Sequence, residues 1–235
     1  MPELYEESAY YRMLFRERSA DVAHYRALAA EHAGPILELG VGDGRVGLAL
    51  VDDGHEVVGV DRSASMLAAL EARRGERSLE VHEADMRAVR LERRFGLVLC
   101  PFNGFAHLHT HEDRLAFFET VRHHLADGGA FAFDVTIPDP RQLSGGTSFV
   151  PRVVHPRTGA VCRMEESAEY DAATEVLTLT TRLVDRLSGE TQTLSLSLRQ
   201  WQPAQTDRML AGHGLVVQAR SASIGDSLAY VCRLS

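Results

Sequence analysis

The sequence ILELGVGDGR, at residues 36–45, joins the end of a buried strand to the start of a helix. Its alternating glycines let the backbone turn tightly and approach a ligand where any Cβ atom would collide. The helix that follows directs free backbone N–H groups at the same place. A second apolar run, residues 56–60, ends at Asp61, whose two oxygens suit the paired hydroxyls of a ribose. The pattern therefore predicts a binding site for a cofactor that contains a nucleoside.

Two classes of cofactor fit this glycine loop. Gly42-x-Gly44-x-x-Gly47 matches the dinucleotide-binding fingerprint, and Asp61 follows at slightly less than the roughly 20-residue spacing of that fingerprint. Glu38, however, stands two residues before the first glycine. A carboxylate there suits a cofactor with an ammonium and a sulfonium better than a pyrophosphate, which needs positive potential. The pattern favours the cationic cofactor, and a nicotinamide dinucleotide remains the alternative.

Two further segments follow in the order typical of one enzyme family. VHEADM at residues 81–86 and FGLVLCPFN at residues 95–103 are interpreted as the third and fourth strands, each running into a loop. With Glu38 and the glycine loop, they resemble the class I S-adenosylmethionine-dependent methyltransferases of the small-molecule type, over essentially the whole chain. The segment CPFN at residues 100–103 differs from the D/N-P-P-Y/F motif of nucleic-acid amino-methyltransferases. The resemblance therefore implies a small-molecule acceptor, as in nucleotide-sugar N-methyltransferases.

The resemblance also implies roles for individual residues. Asp85 is expected to accept from the adenine amino group, with a turn residue as the alternative. Tyr11 is expected to close over the methionine moiety, although Tyr5, Tyr10 and Phe15 lie nearby in the sequence. His107, in a loop similar to that of sugar N-methyltransferases, faces the acceptor as a catalytic general base, since the unperturbed pKa of His is about 6.5. A His that bonds only to the backbone is the alternative. The implied cofactor contacts are Tyr11, Glu38, Gly40, Val41, Gly42, Gly44, Arg45, Asp61, Arg62, Met66, Ala84, Asp85, Met86, Cys100 and Phe102.

Hydrophobic patterns divide the chain into four regions. Residues 1–34 are predicted to form a helical cap, and residues 35–149 a parallel sheet built from strand–helix crossovers. A period of two over residues 150–201 predicts a four-stranded antiparallel insertion with one face packed. Residues 202–235 supply a helix and two strands, the last one reversed. We therefore expect one α/β domain with a Rossmann-like, seven-stranded, mostly parallel sheet flanked by helices, and the insertion after the fifth strand.

The composition indicates which classes of partner and which cellular compartment to expect. The net charge of −8 argues against nucleic acid, because affinity for it comes largely from Lys and Arg contacts to phosphate. Neither a membrane-spanning run nor a secretory signal is present, so no membrane partner is expected. Three widely spaced cysteines predict no disulfide framework and no metal site, which fits the cytoplasm. Two groups of arginines are interpreted as solvated faces: Arg73, Arg74, Arg77, Arg87, Arg90, Arg93 and Arg94.

These observations predict methylation of a small-molecule N or O acceptor by in-line transfer, with S-adenosylmethionine as the cofactor and S-adenosylhomocysteine as the product. Because the sulfonium already activates the methyl group, the protein's task is to align the reactants and exclude water. The antiparallel insertion is expected to form a wall of the acceptor pocket or the contact of a homodimer. Two alternatives remain open: a nicotinamide-dependent oxidoreductase and a non-catalytic S-adenosylmethionine-binding module.

Overall fold

The chain divides into two units, of which the larger carries most of the sequence motifs. The computed structural model describes the backbone of residues 1–235 and every side chain except that of Ser223. The larger unit contains Arg18–Ile137 and Trp201–Ser235, and the smaller one contains Met1–Glu17 and Pro138–Gln200. The helical start of the chain is therefore shared between the two units.

The larger unit is built on a seven-stranded sheet. Its strands are β1 (Ile36–Leu39), β2 (Val57–Asp61), β3 (Leu79–Glu83), β4 (Phe95–Cys100), β5 (Leu125–Thr136), β10 (Leu215–Ile224) and β11 (Ser227–Leu234). They lie in the order β10-β11-β5-β4-β1-β2-β3. Strands β1 to β5 are mutually parallel, whereas β11 runs antiparallel to both of its neighbours. The predicted mostly parallel sheet with a reversed last strand is confirmed.

Helices pack on this sheet because its strands are apolar on both faces. They are α2 (Ala20–Ala30), α3 (Gly47–Asp52), α4 (Ala64–Arg74), α5 (His111–His124) and α7 (Pro203–Gly212), with a 3-10 helix at Gly104–His107. Ser63 caps α4 by accepting from the Met66 N–H at 3.2 Å. Thr110 and Asp113 form a reciprocal capping box on α5. Among the helices of the described residues, none is long and apolar enough to cross a membrane.

An aromatic cluster fixes the segment that follows β4. The Phe105 ring, in the 3-10 helix, is fully buried. Its centroid lies 5.1 Å from Phe133, 5.2 Å from Trp201 and 5.7 Å from Phe117, at tilted or edge-on angles. Such ring pairs add specific attraction to the burial of their apolar surface. The 3-10 helix is therefore anchored directly after the loop at the end of β4.

The smaller unit contains the antiparallel insertion. It comprises a 3-10 helix (Leu4–Glu6), α1 (Ser8–Phe15), α6 (Pro140–Leu143) and the strands β6 (Gly146–Val154), β7 (Val161–Asp171), β8 (Val176–Asp185) and β9 (Thr191–Arg199). The strands pair in chain order, all antiparallel, as predicted. The first strand begins at Gly146 rather than near residue 150. Its first residues are exposed and polar, so no apolar alternation marks them in the sequence.

Candidate active site

The glycine loop between β1 and α3 takes the left-handed conformation that its sequence requires. Gly40, Gly42 and Gly44 have φ angles of +81°, +56° and +79°. A Cβ atom on Gly44 would stand 3.0 Å from side-chain atoms of Leu48 and Leu70, whereas one on Gly40 would enter open space. Gly44 therefore serves the tight packing of the loop, whereas Gly40 leaves room beside the loop for a ligand.

An arginine of α4 also fixes the glycine loop. The Arg73 Nη1 group donates to the Asp43 carbonyl at 2.8 Å and to Asp43 Oδ2 at 2.6 Å. Asp43 itself is buried. Arg73 is exposed, as the interpretation of a solvated face requires, and its guanidinium also joins the loop to the last turn of α4. Nothing local in the sequence marks this bond, which spans 30 residues.

Asp61, at the end of β2, is joined to the same loop. Its Oδ2 accepts from the Gly42 N–H at 2.8 Å, and its Oδ1 accepts from the Ser63 N–H at 2.8 Å. Burial raises the pKa of Asp61, although both N–H bonds oppose the rise. Each carboxylate oxygen retains further acceptor capacity, since two lone pairs are available on each. The arrangement allows Asp61 to hold the loop and to accept from ligand hydroxyls as well.

Glu38, in the middle of β1, is a buried carboxylate with an unsatisfied oxygen. Its side chain is directed toward the start of α3, where a Cβ on Gly47 would stand 2.7 Å from Oε2. That oxygen is buried and has no hydrogen-bond partner. Burial raises the pKa of Glu38 well above its ordinary value; Arg45 opposes the shift, and the nearby carboxylates of Asp61, Asp21 and Asp43 add to it. These effects favour the neutral carboxyl, and a cation bound beside it would favour the ionised form.

Met66 and Val41 pack around the glycine loop. Met66 is fully buried, and its Cε atom would stand 3.2 Å from a Cβ on Gly42. The Val41 side chain is buried beneath Gly59, where a Cβ would approach it to 2.8 Å. Val41 therefore faces the protein interior and offers a ligand only its backbone. Arg62, next to Asp61, is exposed.

The loop after β3 holds Asp85 in a bidentate ion pair. Arg87 Nε donates to Asp85 Oδ1 at 2.9 Å, and the same guanidinium also binds Asp85 Oδ2 and Asp113. The hydrogen bonds from Arg87 hold the pKa of Asp85 below its ordinary value. Arg87 thus binds two carboxylates while 37% of its side chain stays exposed to solvent. Ala84 donates to the Asp61 carbonyl at 3.0 Å and Met86 is half-buried, while the adenine contact of Asp85 stays a prediction.

The loop after β4 contains two successive left-handed residues that are not glycines. Phe102 has φ +47° and Asn103 has φ +60°. Left-handed backbone costs about 1–2 kcal/mol for a residue with a Cβ atom, although Asn tolerates it better than most. The Phe102 N–H donates to Asp134 Oδ1 at 2.7 Å. Sequence reasoning placed Phe102 in the site but missed Asp134, which the loop needs for its conformation.

Two arginines flank the Phe102 ring. The Arg18 Cζ atom lies 4.1 Å from the ring centroid and the Arg45 Cζ atom 5.3 Å from it, both within cation–π range. Both guanidiniums also bind Asp21, which is fully buried. Burial alone would raise the pKa of Asp21, but the hydrogen bond and charge of Arg45, with Arg18, bring it below its ordinary value. Arg45 thereby connects the glycine loop with the loop after β4.

His107 ends the 3-10 helix after that loop. Its side chain is partly exposed, and burial of its ring, with the positive charges of His109 and Arg62 nearby, lowers its pKa to about 4. The imidazole is therefore neutral near pH 7.

Cys100, at the end of β4, is fully buried, and its Sγ would stand 2.7 Å from a Cβ on Gly104. Burial raises the pKa of this thiol well above its ordinary value.

The sequence-predicted residues are therefore not all in one unit. The glycine loop, Asp61, Asp85, Phe102 and His107 belong to the larger unit, at or just beyond the carboxyl ends of β1 to β4. Ligands of open α/β sheets bind at such ends. Tyr11 belongs to the smaller unit, where its buried ring packs 5.6 Å from Tyr5 and 5.1 Å from Phe15. Its contact with a cofactor stays a prediction.

Comparison with known proteins agrees with this geometry. Residues 36–129 match a family model described as "Methyltransferase domain". A cypemycin N-terminal methyltransferase from a Streptomyces species is 35% identical over 111 residues, which are 47% of this chain and 45% of that protein. A dTDP-3-amino-3,6-dideoxy-alpha-D-glucopyranose N,N-dimethyltransferase from Streptomyces fradiae is 31% identical over 161 residues, 64% of this chain and 62% of that protein. The chain thus spans about half to three fifths of the length of these relatives.

The fold has close counterparts among solved structures. The CcbJ methyltransferase from Streptomyces caelestis superposes with a TM-score of 0.77 and 25% identity, over 93% of this chain and 90% of that one. The matched family model begins at β1 and ends within β5, so it contains the glycine loop, Asp61, Asp85 and the loop after β4. Residues 36–129 therefore carry the sequence of a methyltransferase domain, and the chain has the fold of a solved methyltransferase.

Proposed function

We propose that this protein transfers a methyl group from S-adenosylmethionine to an amino group of a small molecule. The observation that carries the cofactor assignment is Glu38, whose buried oxygen has no hydrogen-bond partner and lies among other carboxylates. A ligand with a sulfonium and an ammonium would be attracted to these carboxylates, whereas they would repel the pyrophosphate of a nicotinamide dinucleotide. The names of both relatives, an N-terminal and an amino-sugar methyltransferase, support an amine rather than a hydroxyl as the acceptor.

The residues of the larger unit would hold the cofactor in distinct ways. Asp61 would accept from the ribose hydroxyls, the glycine loop would allow close approach of its backbone, and Glu38 would balance the positive charge. When bound, S-adenosylmethionine supplies a methyl group already activated by the sulfonium. The contribution of this chain is then to align the acceptor nitrogen and to keep water out. Such alignment alone supplies a large share of the rate in bimolecular transfers.

His107 is proposed to receive a proton from the acceptor amine. Its pKa of about 4 keeps the imidazole neutral and able to accept at physiological pH. A base of such low pKa is weak, so we expect His107→Ala to lower kcat toward the smaller end of the range for general bases, about 100-fold. The contribution of His107 should be lost as the pH falls through about 4, and not near 6.5. If kcat titrates near neutral pH in both the wild type and His107→Ala, the titrating group is a residue other than His107.

Cofactor choice is tested by ligand-induced stabilisation. A ligand present at about 100 times its dissociation constant stabilises the fold by roughly 2.7 kcal/mol. For a chain of this size, that raises the melting temperature by about 5–10 °C. We expect this rise with S-adenosylhomocysteine and none with NADH. The opposite ranking would contradict the proposed function and favour an oxidoreductase.

Activity is tested with paired acceptors. An amino sugar nucleotide and a peptide with a free N-terminal amine are each incubated with S-adenosylmethionine. The hydroxyl analogue of each acceptor is incubated in parallel as a control. The masses of the products are measured by mass spectrometry. We expect the mass of one or two methyl groups on an amine and none on the hydroxyl partner. Binding of S-adenosylhomocysteine without turnover on either class would favour a non-catalytic binding module.

We also infer that the protein works in the cytoplasm and forms a homodimer. All three cysteines are buried and unpaired, as suits a reducing compartment. Strand β6 is an edge strand of the smaller unit, and its Phe149 and Val154 side chains are 61% and 56% exposed. An exposed apolar edge is open to pairing with a second copy. Sedimentation of the wild type and of Phe149→Lys tests this, with the variant expected to be monomeric.

A further inference from the structure

The loop after β4 keeps a conformation that its own residues do not favour. Phe102 and Asn103 are both left-handed, and neither is glycine. Backbone of this kind persists only where the surrounding structure over-determines it, and it concentrates at functional sites. The contacts that hold these two residues therefore matter for whatever the loop does.

Asp134 of β5 makes the central contacts. Its Oδ1 accepts from the Phe102 N–H at 2.7 Å, and its backbone carbonyl accepts from the Asn103 N–H at 3.2 Å. The same Oδ1 accepts from the Tyr25 hydroxyl of α2 at 2.7 Å. Asp134 and Tyr25 are both fully buried. One carboxylate oxygen thus holds the loop and is itself held by a helix on the sheet.

Two further contacts reinforce this arrangement. Asn103 and Thr136 form a reciprocal pair, with Asn103 Nδ2 donating to Thr136 Oγ1 at 2.8 Å and the Thr136 N–H donating to Asn103 Oδ1 at 2.7 Å. The Arg18 guanidinium lies over the Phe102 ring and has an Nη2 atom 3.7 Å from Asp134 Oδ2. The loop is therefore fixed at both amides, at the Asn side chain and at the Phe ring.

We propose that Asp134 is a positioning residue for methyl transfer, which holds the Phe102–Asn103 backbone in its left-handed conformation without touching the cofactor. The inference rests on the proposed function, because it concerns the rate of that reaction. The 3-10 helix that carries His107 begins at the next residue, Gly104. Release of the loop would therefore displace the start of that helix. A misplacement of about 1 Å at a reacting group lowers the rate by on the order of 100-fold.

Three variants separate positioning from simple support of the core. Asp134→Ala removes the acceptor for Phe102, whereas Asp134→Asn keeps one acceptor oxygen in the same shape, removes the charge and replaces the second oxygen by an NH2 group. Phe131→Leu, on the same strand, is the matched control, since Phe131 is fully buried but makes no contact with the loop among its ring pairs. For each variant, kcat, KM for the amine, the affinity for S-adenosylhomocysteine and the melting temperature are measured.

We expect Asp134→Ala to lose about 100-fold in kcat while its affinity for S-adenosylhomocysteine changes by less than about threefold. Asp134→Asn should regain most of that loss, and Phe131→Leu should melt earlier with an unchanged kcat. The proposal is overturned if Asp134→Ala keeps its kcat, or if Asp134→Asn loses as much as Asp134→Ala. Should Asp134→Ala not fold, Tyr25→Phe decides: we expect about a fivefold lower kcat, and an unchanged kcat overturns the proposal.

Failure of the proposed function would look different. In that case the wild type binds S-adenosylhomocysteine but methylates no amine, and amide hydrogen exchange at Phe102 replaces kcat as the readout. We expect protection of this amide in the wild type and in Asp134→Asn, and its loss in Asp134→Ala. Protection that survives in Asp134→Ala overturns the role of Asp134 as the residue that holds the loop.

Discussion

Two loops at the ends of neighbouring strands reach the same backbone conformation by different means. The loop after β1 uses Gly40, Gly42 and Gly44 for its positive φ angles, whereas the loop after β4 uses Phe102 and Asn103. Glycine takes this conformation without strain, so the first loop depends on local sequence. The second loop is strained and depends on Asp134 and Thr136, more than 30 residues away. Substitutions in the first loop should therefore change mainly the affinity for the cofactor, whereas those in the second loop should change the stability of its backbone conformation.

The largest effect is expected where the glycine loop leaves space for the cofactor. Gly40 and Gly54 have φ angles of +81° and +90°, and a Cβ on either meets no protein atom within 4 Å. Gly40→Leu and Gly54→Leu thus carry the same backbone strain, which lowers the melting temperature by about 2–8 °C. Only Gly40→Leu would fill the proposed place of the cofactor, and we expect more than about 1,000-fold loss of affinity for S-adenosylhomocysteine by isothermal titration. Equal affinities in both variants would remove the glycine loop from the binding site.

The next effect concerns Asp61, which serves both the loop and the proposed ribose contact. Asp61→Ala removes charge-assisted hydrogen bonds of about 1.5–3 kcal/mol, so we expect S-adenosylhomocysteine to bind about 10- to 150-fold more weakly. Asp185→Ala is the matched control, because Asp185 also accepts from two backbone N–H groups, those of Leu187 and Ser188. Asp185→Ala should keep full affinity. If both variants bind like the wild type, Asp61 contributes only to the turn.

The contrast between the loops also explains what the sequence predicted. The glycine loop, the Ser63 cap and the Thr110–Asp113 capping box follow local rules, in which residue type and short spacing dictate the geometry. The sheet followed from hydrophobic periodicity in the same way. By contrast, the bonds from Arg73 to Asp43, from Arg87 to Asp113 and from Phe102 to Asp134 span 26 to 32 residues.

No local signal identifies the partners of these arginines, since many Arg–Asp pairings are compatible with one sequence. Asn103 carried the only hint of left-handed backbone in its loop, because Asn adopts that conformation more readily than most residues. For Phe102 there was none. The order and type of the strands were therefore predictable, whereas the contacts that lock the loops depend on which distant side chains the fold brings together.

The third prediction uses the buried charge of Glu38, whose pKa is raised in the folded protein by burial. The contribution of Glu38 to the free energy of unfolding is therefore greatest below its unfolded pKa of about 4.3. It is lost as the pH rises through the raised pKa of the folded state. A cationic cofactor needs the ionised form, so its affinity should rise over the same range. We expect Glu38→Gln to unfold at higher urea near neutral pH, yet to bind S-adenosylmethionine about tenfold more weakly.

Titration calorimetry and urea unfolding between about pH 5 and pH 9 check both signs. In Glu38→Gln the part of the pH dependence that comes from this carboxylate should vanish. Tighter binding by Glu38→Gln would mean that the buried charge opposes the cofactor, and the electrostatic basis for choosing S-adenosylmethionine over a dinucleotide would be lost.

The smallest effect tests whether the second loop keeps its left-handed backbone in solution. Asn103→Gly and Asn103→Ala both lose the bonds to Thr136, but only Ala retains a Cβ atom at φ +60°. We therefore expect the Gly variant to be more stable than the Ala variant by about 1 kcal/mol, or about 2–4 °C in melting temperature. Gly212, in α7, has no positive φ and open space around its Cβ position, so Gly212→Ala should instead stabilise by about 0.4–1 kcal/mol. An Ala variant at 103 as stable as the Gly variant would show that this loop is not strained, and the difference between the two loops would disappear.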